Sequence, residues 1–509
     1  MLCVAGILLL AVFSAAAGSA IDEQMQGLTY HSAVPQPLPA GPFQPTWTSL
    51  SNNYVVPTWF NNAKFGIFIH FGLYAVPAYH NEWYAKYMYN GTFNTYHQQH
   101  YGYQDAFGYK DFIPMFKAAK FDATAWAALF KNAGAQYVVP VAEHHDGFAM
   151  YDSDLTIWCA SKMGPKRDII GELANAIRAQ GMVFGVSNHR MEHYMFEYPS
   201  SSLLASGLNN DLFNPKYAQF YGPPRQETDS LGQDAGNAPP DFQREWLARC
   251  EELVDRYHPQ LFYFDNGVNQ RKLDNVKLAF AAYYYNRAAQ WGQQVTIATK
   301  RTINADSSIT EAYLAGSVED YEKSGKAPGA IQYPAWQCDD AIAGNSWGYV
   351  NPMTYRTASS ILGELIDLVS KNGNLLLNIS PMADGSIPQA QQQILLTIGQ
   401  WLGTNGTAIY GTHPWTSFQE SGGGVTYHHT VKDGILYAAA STWPGATATL
   451  PSVTTGVGTV TKVELLGSSA GALGFSQTSS GLTVTMPGQP TNPAGISNYT
   501  LKISGLNLP

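Results

Sequence analysis

The chain has 509 residues, of which 45% are hydrophobic and only 13% are charged. This composition excludes an intrinsically disordered chain, and the length allows two or three domains. The net charge is −9 and no basic cluster is present, so we expect no nucleic-acid partner.

The N-terminal segment, residues 1–20, reads MLCVAGILLLAVFSAAAGSA and predicts a secretory signal peptide. Its apolar run is followed by small residues suited to cleavage and is too short to span a bilayer. We therefore expect a secreted protein with no membrane partner; a buried N-terminal helix is the alternative. Cys159, Cys250 and Cys338 would remain after cleavage, so at most one disulfide can form.

Four Asn-x-Ser/Thr sequons occur in the chain. Those at Asn90, Asn405 and Asn498 predict a glycoprotein. The fourth, at Asn378, ends an apolar strand-like run and precedes Pro381, so we expect that asparagine to carry no glycan.

From about residue 60, apolar strand-like runs alternate with amphipathic helical stretches. Strands are predicted at Lys64–Gly72, Tyr137–Glu143, Met182–Ser187, Leu261–Asp265, Val295–Thr299 and Leu375–Ile379. Helices are predicted at Asp122–Ala133, Arg167–Gln180, Asp241–Tyr257, Leu273–Gln290 and Thr354–Lys371. Strands that are apolar throughout and are separated by helices indicate a parallel sheet buried on both faces.

Polar residues follow several of these strands. The strand ends read Ile69-His70, Glu143-His144-His145-Asp146, Ser187-Asn188-His189, Phe264-Asp265-Asn266 and Leu377-Asn378. Polar side chains at the carboxyl ends of parallel strands are typical of a barrel active site. A doubly wound sheet would give a similar pattern, but no glycine-rich phosphate loop follows any strand.

After about Trp415, charged residues become rare, and short apolar runs are separated by Gly, Ser and Pro. This pattern indicates an antiparallel β-sandwich. We therefore predict an α/β fold: a (β/α)8-type (TIM-like) barrel with an N-terminal arm over residues 21–413, and a C-terminal antiparallel β-sandwich over residues 414–509. The irregular stretch Gly222–Pro240 is a candidate lid or subsite wall.

Asp265 is the first candidate for chemistry, because a carboxylate that follows the buried strand LFYF faces a ligand rather than bulk water. It could attack an anomeric carbon as a nucleophile, or it could only fix the loop.

A nucleophile of this kind needs a proton donor across the scissile bond. The acidic run Glu319-Asp320-Tyr321-Glu322 could supply it, unless the run is a solvated loop. Sequence position does not choose between Glu319 and Glu322.

A second group of candidates could bind a polyol. Adjacent histidines on a strand end should point to opposite sides, and His144 and His145 have no third ligand at zinc spacing. We therefore expect them to bind substrate hydroxyls, with a core histidine as the alternative. His70 is interpreted in the same way. Glu82 and Trp83 combine a hydrogen-bond acceptor with an aromatic platform. We expect neither a metal nor another cofactor.

Several motifs of competing chemistries are absent from the sequence: it contains no Walker loop, C-x-x-C pair or H-E-x-x-H. Two alternatives to a glycosidase stay open. One is a catalytically silent carbohydrate-binding protein on the same barrel. The other is a metal-dependent barrel hydrolase that uses His144 and His145.

Seven ordered segments resemble glycoside hydrolase family 29, the α-L-fucosidases. They are AKFGIFIHFGLYAVPAYHNEWY, EHHDGFAMYDSDLTIW with GPKRDIIGEL, LFYFDNG, SWGY, and LIDLVSKNGNLLLNISPMADGSIP with IGQWLGTNGTAIYGTHPW. The resemblance runs from about Trp59 to Trp415. It implies a retaining exo-glycosidase that releases terminal α-L-fucosyl residues from fucosylated glycans through a covalent fucosyl-enzyme intermediate.

The resemblance also implies roles for single residues. The family's nucleophile corresponds to Asp265, and its acid/base corresponds best to Glu322, with Glu319 in reserve. Sugar-binding positions carry over to His70, Glu82, Trp83, His144 and His145, and Trp347 would pack on the C5 methyl group of fucose.

Two positions depart from the family pattern. Where many members place a strand-end tyrosine, this chain reads FGVSNHRMEHY, so Asn188 or His189 takes its place. The family's basic residue before the acid/base corresponds to Lys300 or Arg301.

Overall fold

The computed structural model describes residues 20–200, 210–222, 237–303, 309–311 and 316–508. The predicted signal peptide, except Ala20, and most of the predicted loop Gly222–Pro240 lie outside these ranges. The strands are β1 Phe65–Ile69, β2 Tyr137–Glu143, β3 Val183–Asn188, β4 Leu261–Phe264, β5 Thr296–Ile303, β6 Ile309–Glu311, β7 Val318–Glu322, β8 Trp336–Ala341, β9 Gly373–Ile379, β10 His413–Gly422, β11 Val425–Lys432, β12 Ile435–Ala440, β13 Thr447–Leu450, β14 Gly458–Leu465, β15 Phe475–Thr478, β16 Gly481–Thr485 and β17 Tyr499–Leu506. The α-helices are α1 Trp47–Asn53, α2 Thr58–Ala63, α3 Tyr84–Asn90, α4 Asn94–His100, α5 Ala123–Asn132, α6 Ile169–Ala179, α7 Arg190–His193, α8 Ala218–Tyr221, α9 Pro240–Tyr257, α10 Asp274–Trp291, α11 Ala358–Ser370 and α12 Gln389–Asn405.

Eight parallel strands close into a barrel in the order β1-β2-β3-β4-β5-β7-β8-β9, and β9 pairs back onto β1. In this register Ile67 of β1 lies opposite Val138 of β2 on one side and Leu377 of β9 on the other. The short β6 runs antiparallel to β5 and is not part of the closed ring. The predicted (β/α)8-type barrel is confirmed.

The predicted strands form because their residues are apolar on both faces. Every residue of β1, β2, β4 and β9 is buried, as expected for strands between a filled barrel and an outer layer of helices. The predicted helix start at Asp122 is confirmed, because its carboxylate accepts a hydrogen bond from the backbone N–H of Ala125 at 3.0 Å. A cap of this kind stabilises a helix by about 1 kcal/mol.

The lower half of the barrel is closed by aromatic side chains. Phe60 of α2 and Tyr137 of β2 are fully buried there, with ring centroids 6.3 Å apart. Gly66 gives Tyr137 its space, because a Cβ atom at position 66 would lie 2.5 Å from the Tyr137 ring. Burial of each such side chain stabilises the fold by roughly 1.5–3 kcal/mol, so this end forms a rigid base for the polar end above it.

Strands β7 and β8 were not predicted. The run Glu319–Glu322, for which a solvated loop was the alternative, lies in β7. Both strands carry polar residues that point into the barrel, including Asp320 on β7 and Gln337 and Asp339 on β8, all of them buried. These strands therefore lack the continuous apolar run that predicted the others.

The C-terminal part consists of two antiparallel sheets, ordered β10-β11-β12-β17-β14 and β13-β16-β15. Their inner faces share one apolar core, which includes Leu436 and Ile503 of the larger sheet and Leu450 and Val484 of the smaller one. This arrangement confirms the predicted β-sandwich. It is tied to the barrel through Trp401 of α12, whose indole N–H donates to the carbonyl of Asn498 at 3.1 Å.

The structure corrects part of the glycosylation prediction. Asn405 and Asn498 are buried, and the Asn405 amide donates to the Trp401 carbonyl at 3.1 Å, so neither asparagine can carry a glycan in the folded chain. Asn90 is partly exposed, and Asn378 is buried.

The three cysteines that follow the predicted leader are buried free thiols. No helix within the described ranges has both the length and the apolarity to cross a membrane.

Candidate active site

A cavity of about 180 Å³ opens at the carboxyl ends of the barrel strands. Its lining contains all nine predicted site residues: His70, Glu82, Trp83, His144, His145, His189, Asp265, Glu322 and Trp347. It also contains residues with no predicted role: Phe68, Tyr263, Asn266 and Asp339. The parallel strands thus bring to one place side chains that are up to 279 positions apart in the sequence, from 68 to 347.

The Asp265 carboxylate lies deep in this cavity and contacts three nitrogen atoms. Its Oδ2 atom lies 3.1 Å from His189 Nδ1 and 3.3 Å from His145 Nε2, and its Oδ1 atom lies 2.5 Å from Lys300 Nζ. Burial would raise the pKa of Asp265, but these neighbours outweigh burial and hold that pKa well below its usual value. Asp265 is therefore an anion whose charge is directed at the cavity.

Lys300 joins the two candidate carboxylates. Its Nζ atom lies 2.5 Å from Asp265 Oδ1 and 3.6 Å from Glu322 Oε2. The two carboxyl oxygens therefore lie within about 6 Å of each other, which is compatible with the separation of roughly 5 Å found in retaining glycosidases. Lys300 lowers the pKa of Glu322, against the opposing effects of burial and of Asp265.

The alternation of side chains along β7 separates the two glutamates. Glu322 faces the cavity and is 26% exposed. Glu319 lies on the other face of the strand, where its carboxylate accepts hydrogen bonds from the Tyr321 hydroxyl at 2.6 Å and the Gln332 amide at 3.0 Å. Of the two glutamates that the sequence left open, only Glu322 lines the cavity with Asp265.

Four histidines line one side of the cavity. Burial lowers the pKa of His70 to about 4 and that of His189 to about 3, and burial also holds the pKa of His144 well below its usual value. Burial would lower the pKa of His145 too, but the carboxylates of Glu192 and Asp265 outweigh it and raise that pKa. The cavity therefore presents three neutral imidazoles and one that holds a proton more strongly.

The prediction that the adjacent histidines His144 and His145 point to opposite sides is wrong. His144 and His145 do not point to opposite sides, because they lie in the turn after β2 rather than on the strand itself. Their ring centroids are 4.5 Å apart, and both rings line the cavity. His70 is held by its Nδ1 atom, which lies 2.7 Å from Asn378 Oδ1. Since that oxygen is an acceptor, Nδ1 carries the proton, which leaves Nε2 as an acceptor for a ligand hydroxyl.

Two groups of described residues could hold a metal ion. One is His70 with His144 and His189, and the other is His145 with His189 and Asp265. In each group, one ligand atom per residue lies within 4.8 Å of the others. In the second group the carboxylate already has the ammonium of Lys300 at 2.5 Å.

Glu82 and Trp347 form the opposite wall. Glu82 Oε2 accepts hydrogen bonds from the Ser346 hydroxyl at 2.9 Å and from the backbone N–H of Trp347 at 3.0 Å. The Trp347 carbonyl in turn accepts from the Asn378 amide at 2.8 Å. Gly348 is required next to it, because a Cβ there would lie 2.6 Å from the Tyr74 ring. The Trp347 ring is thus fixed as an aromatic face of the cavity.

The two departures from the family pattern have distinct outcomes. His189 lines the cavity, whereas the side-chain Oδ1 atom of Asn188 accepts a hydrogen bond from the backbone N–H of Arg190 at 3.0 Å. Lys300 also lines the cavity. The residue that sequence reasoning missed is Asp339. The alternation of apolar Trp336 and Cys338 with polar neighbours in WQCDDA was the signal that could have found it.

This geometry suits the cleavage of a bond to a small polyol. It offers one buried anion, one partly exposed carboxyl across a narrow gap, several hydrogen-bonding imidazoles and two indole rings. An anion and a second carboxyl that can exchange a proton are the parts that glycoside hydrolysis requires.

Comparisons with known proteins agree with this arrangement. The α-L-fucosidase family profile matches residues 32–407. The tissue α-L-fucosidase of Rattus norvegicus is 30% identical over 522 aligned residues, covering 99% of this chain and 97% of the rat protein. The plasma α-L-fucosidase of Homo sapiens is 30% identical over 451 residues, covering 87% of this chain and 88% of the human protein.

A solved structure gives the same result. The α-fucosidase of Thermotoga maritima in complex with fucose is 26% identical and superposes with a TM-score of 0.71, covering 91% of this chain and 100% of that chain. The family profile match, residues 32–407, contains the whole barrel and every residue of the cavity lining. This chain therefore belongs to the α-L-fucosidase family of glycoside hydrolases.

Proposed function

We propose that this chain hydrolyses terminal α-L-fucosyl residues of glycans with retention of configuration, with Asp265 as the nucleophile and Glu322 as the acid/base. The observation that carries the proposal is the pair of carboxyls on either side of Lys300 Nζ, at 2.5 Å and 3.6 Å, in a cavity of about 180 Å³. The cavity accommodates one monosaccharide, which fits an enzyme that acts on chain ends.

In the first step, an oxygen of Asp265 attacks C1 of the fucosyl residue from the β face. The bond between C1 and the glycosidic oxygen breaks, and Glu322 gives its proton to the departing oxygen. His145 and His189 hold the attacking carboxylate in its orientation through their contacts at 3.3 Å and 3.1 Å.

In the second step, Glu322 takes a proton from a water molecule, and the water oxygen attacks C1 from the α face. The ester bond to Asp265 breaks, which restores its carboxylate and leaves Glu322 protonated for the next cycle. Because the ester carries no charge, the Asp265 anion no longer offsets the Lys300 ammonium, which then favours the anionic form of Glu322, as a general base requires.

The stereochemistry of the first product tests this proposal. Proton NMR of a reaction with 4-nitrophenyl α-L-fucoside should show α-L-fucose before mutarotation produces the β anomer. First release of β-L-fucose would contradict retention. A complete lack of 4-nitrophenol release, with fucose still bound, would favour the catalytically silent carbohydrate-binding protein instead.

The effect of Lys300 on both carboxyls predicts the pH profile. Asp265 must be ionised and Glu322 protonated for the first step, and the pKa values of both are lowered, so kcat/KM should be maximal on the acidic side of neutrality. In Lys300→Met, the pKa of Glu322 should rise and the alkaline limb should move up by about one pH unit.

Lys326→Met is the matched control for this variant. The Lys326 ammonium lies 3.4 Å from Glu322 Oε2, but its side chain is 69% exposed, so solvent screens its charge. Its removal should move the alkaline limb much less than the Lys300 variant does. Equal shifts in the two variants, or a downward shift in Lys300→Met, would argue against this interpretation.

We also propose that the protein is secreted, because the sequence of residues 1–20 has the pattern of a signal peptide. N-terminal sequencing of protein recovered from the culture medium of an expression host tests this. A mature N-terminus near residue 20 is expected, and retention of the full leader inside the cell would contradict it.

A further inference from the structure

Two buried aspartates lie beside the cavity, one of which, Asp339, contributes to its lining, and the proposed mechanism does not use them. Asp320 of β7 and Asp339 of β8 are each about 1% exposed. The Gln337 amide donates to Asp320 Oδ2 at 2.7 Å, and the Tyr263 hydroxyl donates to Asp339 Oδ2 at 3.1 Å. Two carboxylates cannot both be ionised at such a site without a large free-energy cost, so the pair holds a proton between them.

The surroundings of the two carboxyls assign that proton to Asp320, because Asp339 Oδ2 has the Lys300 ammonium at 3.9 Å and accepts a hydrogen bond from the Tyr263 hydroxyl at 3.1 Å. Burial raises the pKa of Asp320 well above its usual value, and its hydrogen bond to Asp339 raises it further. Burial also raises the pKa of Asp339, but Lys300 and the hydrogen bond from Asp320 act against that rise. Asp320 is the donor, and the negative charge of the pair resides on Asp339.

The Asp339 carboxylate lies next to Glu322 and Lys300. In the parallel register of β7 and β8, Asp339 is opposite Glu322. Asp339 Oδ2 also lies 3.9 Å from Lys300 Nζ, which has the Asp265 and Glu322 carboxylates on its other sides. Lys300 therefore contacts a third carboxyl group, that of Asp339, in addition to the two carboxyls of the proposed catalytic pair.

We infer that Asp339, with Asp320 as its proton-holding partner, is a positioning residue that fixes the Lys300 ammonium and offsets its field at Glu322, so that Glu322 keeps its proton for the first step. The inference rests on the proposed role of Glu322. By itself, the positive charge of Lys300 favours the deprotonated form of Glu322, which cannot act as a general acid. An anion directly beside both groups counteracts that effect.

Two other groups that can carry a positive charge contact the proposed catalytic carboxyls. His145 faces Glu192 at 3.6 Å as well as Asp265, and Lys326 contacts Glu322 from the solvent side at 3.4 Å. Three further titratable groups of the described residues interact electrostatically with the aspartate pair: Tyr137 of β2, Tyr263 of β4 and Cys338, which precedes Asp339 on β8. The pKa of each of these three is raised, chiefly by burial, so all three stay neutral in the working range.

The test compares Asp339→Asn with Asp320→Asn in the full-length enzyme. Asp339→Asn removes the anion and should move the alkaline limb of kcat/KM down by about one pH unit, a loss of about tenfold at any pH above that limb. The loss should be larger for a fucosyl disaccharide than for 4-nitrophenyl α-L-fucoside, whose leaving group needs little protonation. Asp320→Asn keeps a hydrogen-bond donor to Asp339 and should leave the limb near its wild-type position.

Thermal melts of both variants check that they are folded. If Asp339→Asn does not fold, Tyr263→Phe replaces it, because loss of the hydroxyl donor weakens the anionic form of Asp339 and should shift the limb in the same direction. An unmoved limb, an upward shift, or equal shifts in the two aspartate variants would overturn the inference. Failure of the proposed function itself would be distinguishable, because it would appear as turnover that survives the loss of Asp265.

Discussion

Asp265→Ala should lower kcat for 4-nitrophenyl α-L-fucoside by at least about 10⁴-fold, since it removes the carboxylate that is proposed to form the glycosyl ester. The fold should survive, because the removed group lies at a strand end and its partners are side chains of the cavity. Steady-state kinetics and a thermal melt of the same preparation measure both effects.

Azide distinguishes loss of the nucleophile from loss of the site. The space left by the Asp265 carboxylate should admit this small anion next to Lys300, and turnover should partly recover with β-L-fucosyl azide as the product. Asn266→Ala, one residue further along the same turn, is the control and should lose far less activity with no azide effect. Wild-type kcat in Asp265→Ala would refute the assignment.

Glu322→Ala should give losses that depend on the leaving group. For fucosyl oligosaccharides, whose leaving alcohol needs a proton, kcat/KM should fall by about 10²- to 10⁴-fold. For 4-nitrophenyl α-L-fucoside the loss in the first step should be much smaller, because 4-nitrophenolate departs without protonation. Comparison of kcat/KM for the two substrates measures the difference.

Glu319→Ala is the matched control, since this glutamate is three residues away on the same strand but faces Tyr321 and Gln332 instead of the cavity. It should lose activity equally and weakly on both substrates. A leaving-group dependence in Glu319→Ala, or its absence in Glu322→Ala, would reverse the two assignments.

The sequence predicted those parts of the barrel in which hydrophobic pattern and structure agree. Strands such as β2 and β9 are apolar on both faces, so an unbroken hydrophobic run revealed them. Strands β7 and β8 carry Asp320, Gln337 and Asp339 into the barrel interior. Their polar residues are satisfied by partners on other strands, and no local pattern reports such partners.

The same reasoning applies to the site. Asp265 and His70 follow apolar strands, and position alone made them candidates. The choice between Glu319 and Glu322 depended on which face of β7 points into the barrel. Because the sequence did not predict β7 as a strand, it could not show which of the two glutamates points inward. The role of Lys300 required distances to two carboxylates that are 35 and 22 residues away in the sequence, at positions 265 and 322.

The chemical identity of the covalent intermediate tests the central claim most directly. The enzyme is incubated with 2-deoxy-2-fluoro-L-fucosyl fluoride, which slows hydrolysis of the glycosyl ester, and is then digested and analysed by mass spectrometry. The label should lie on the peptide that contains LFYFDNG, at Asp265, and should be absent from Asp265→Ala. A label on Glu322 or any other residue, or an active enzyme that never acquires one, would contradict the account.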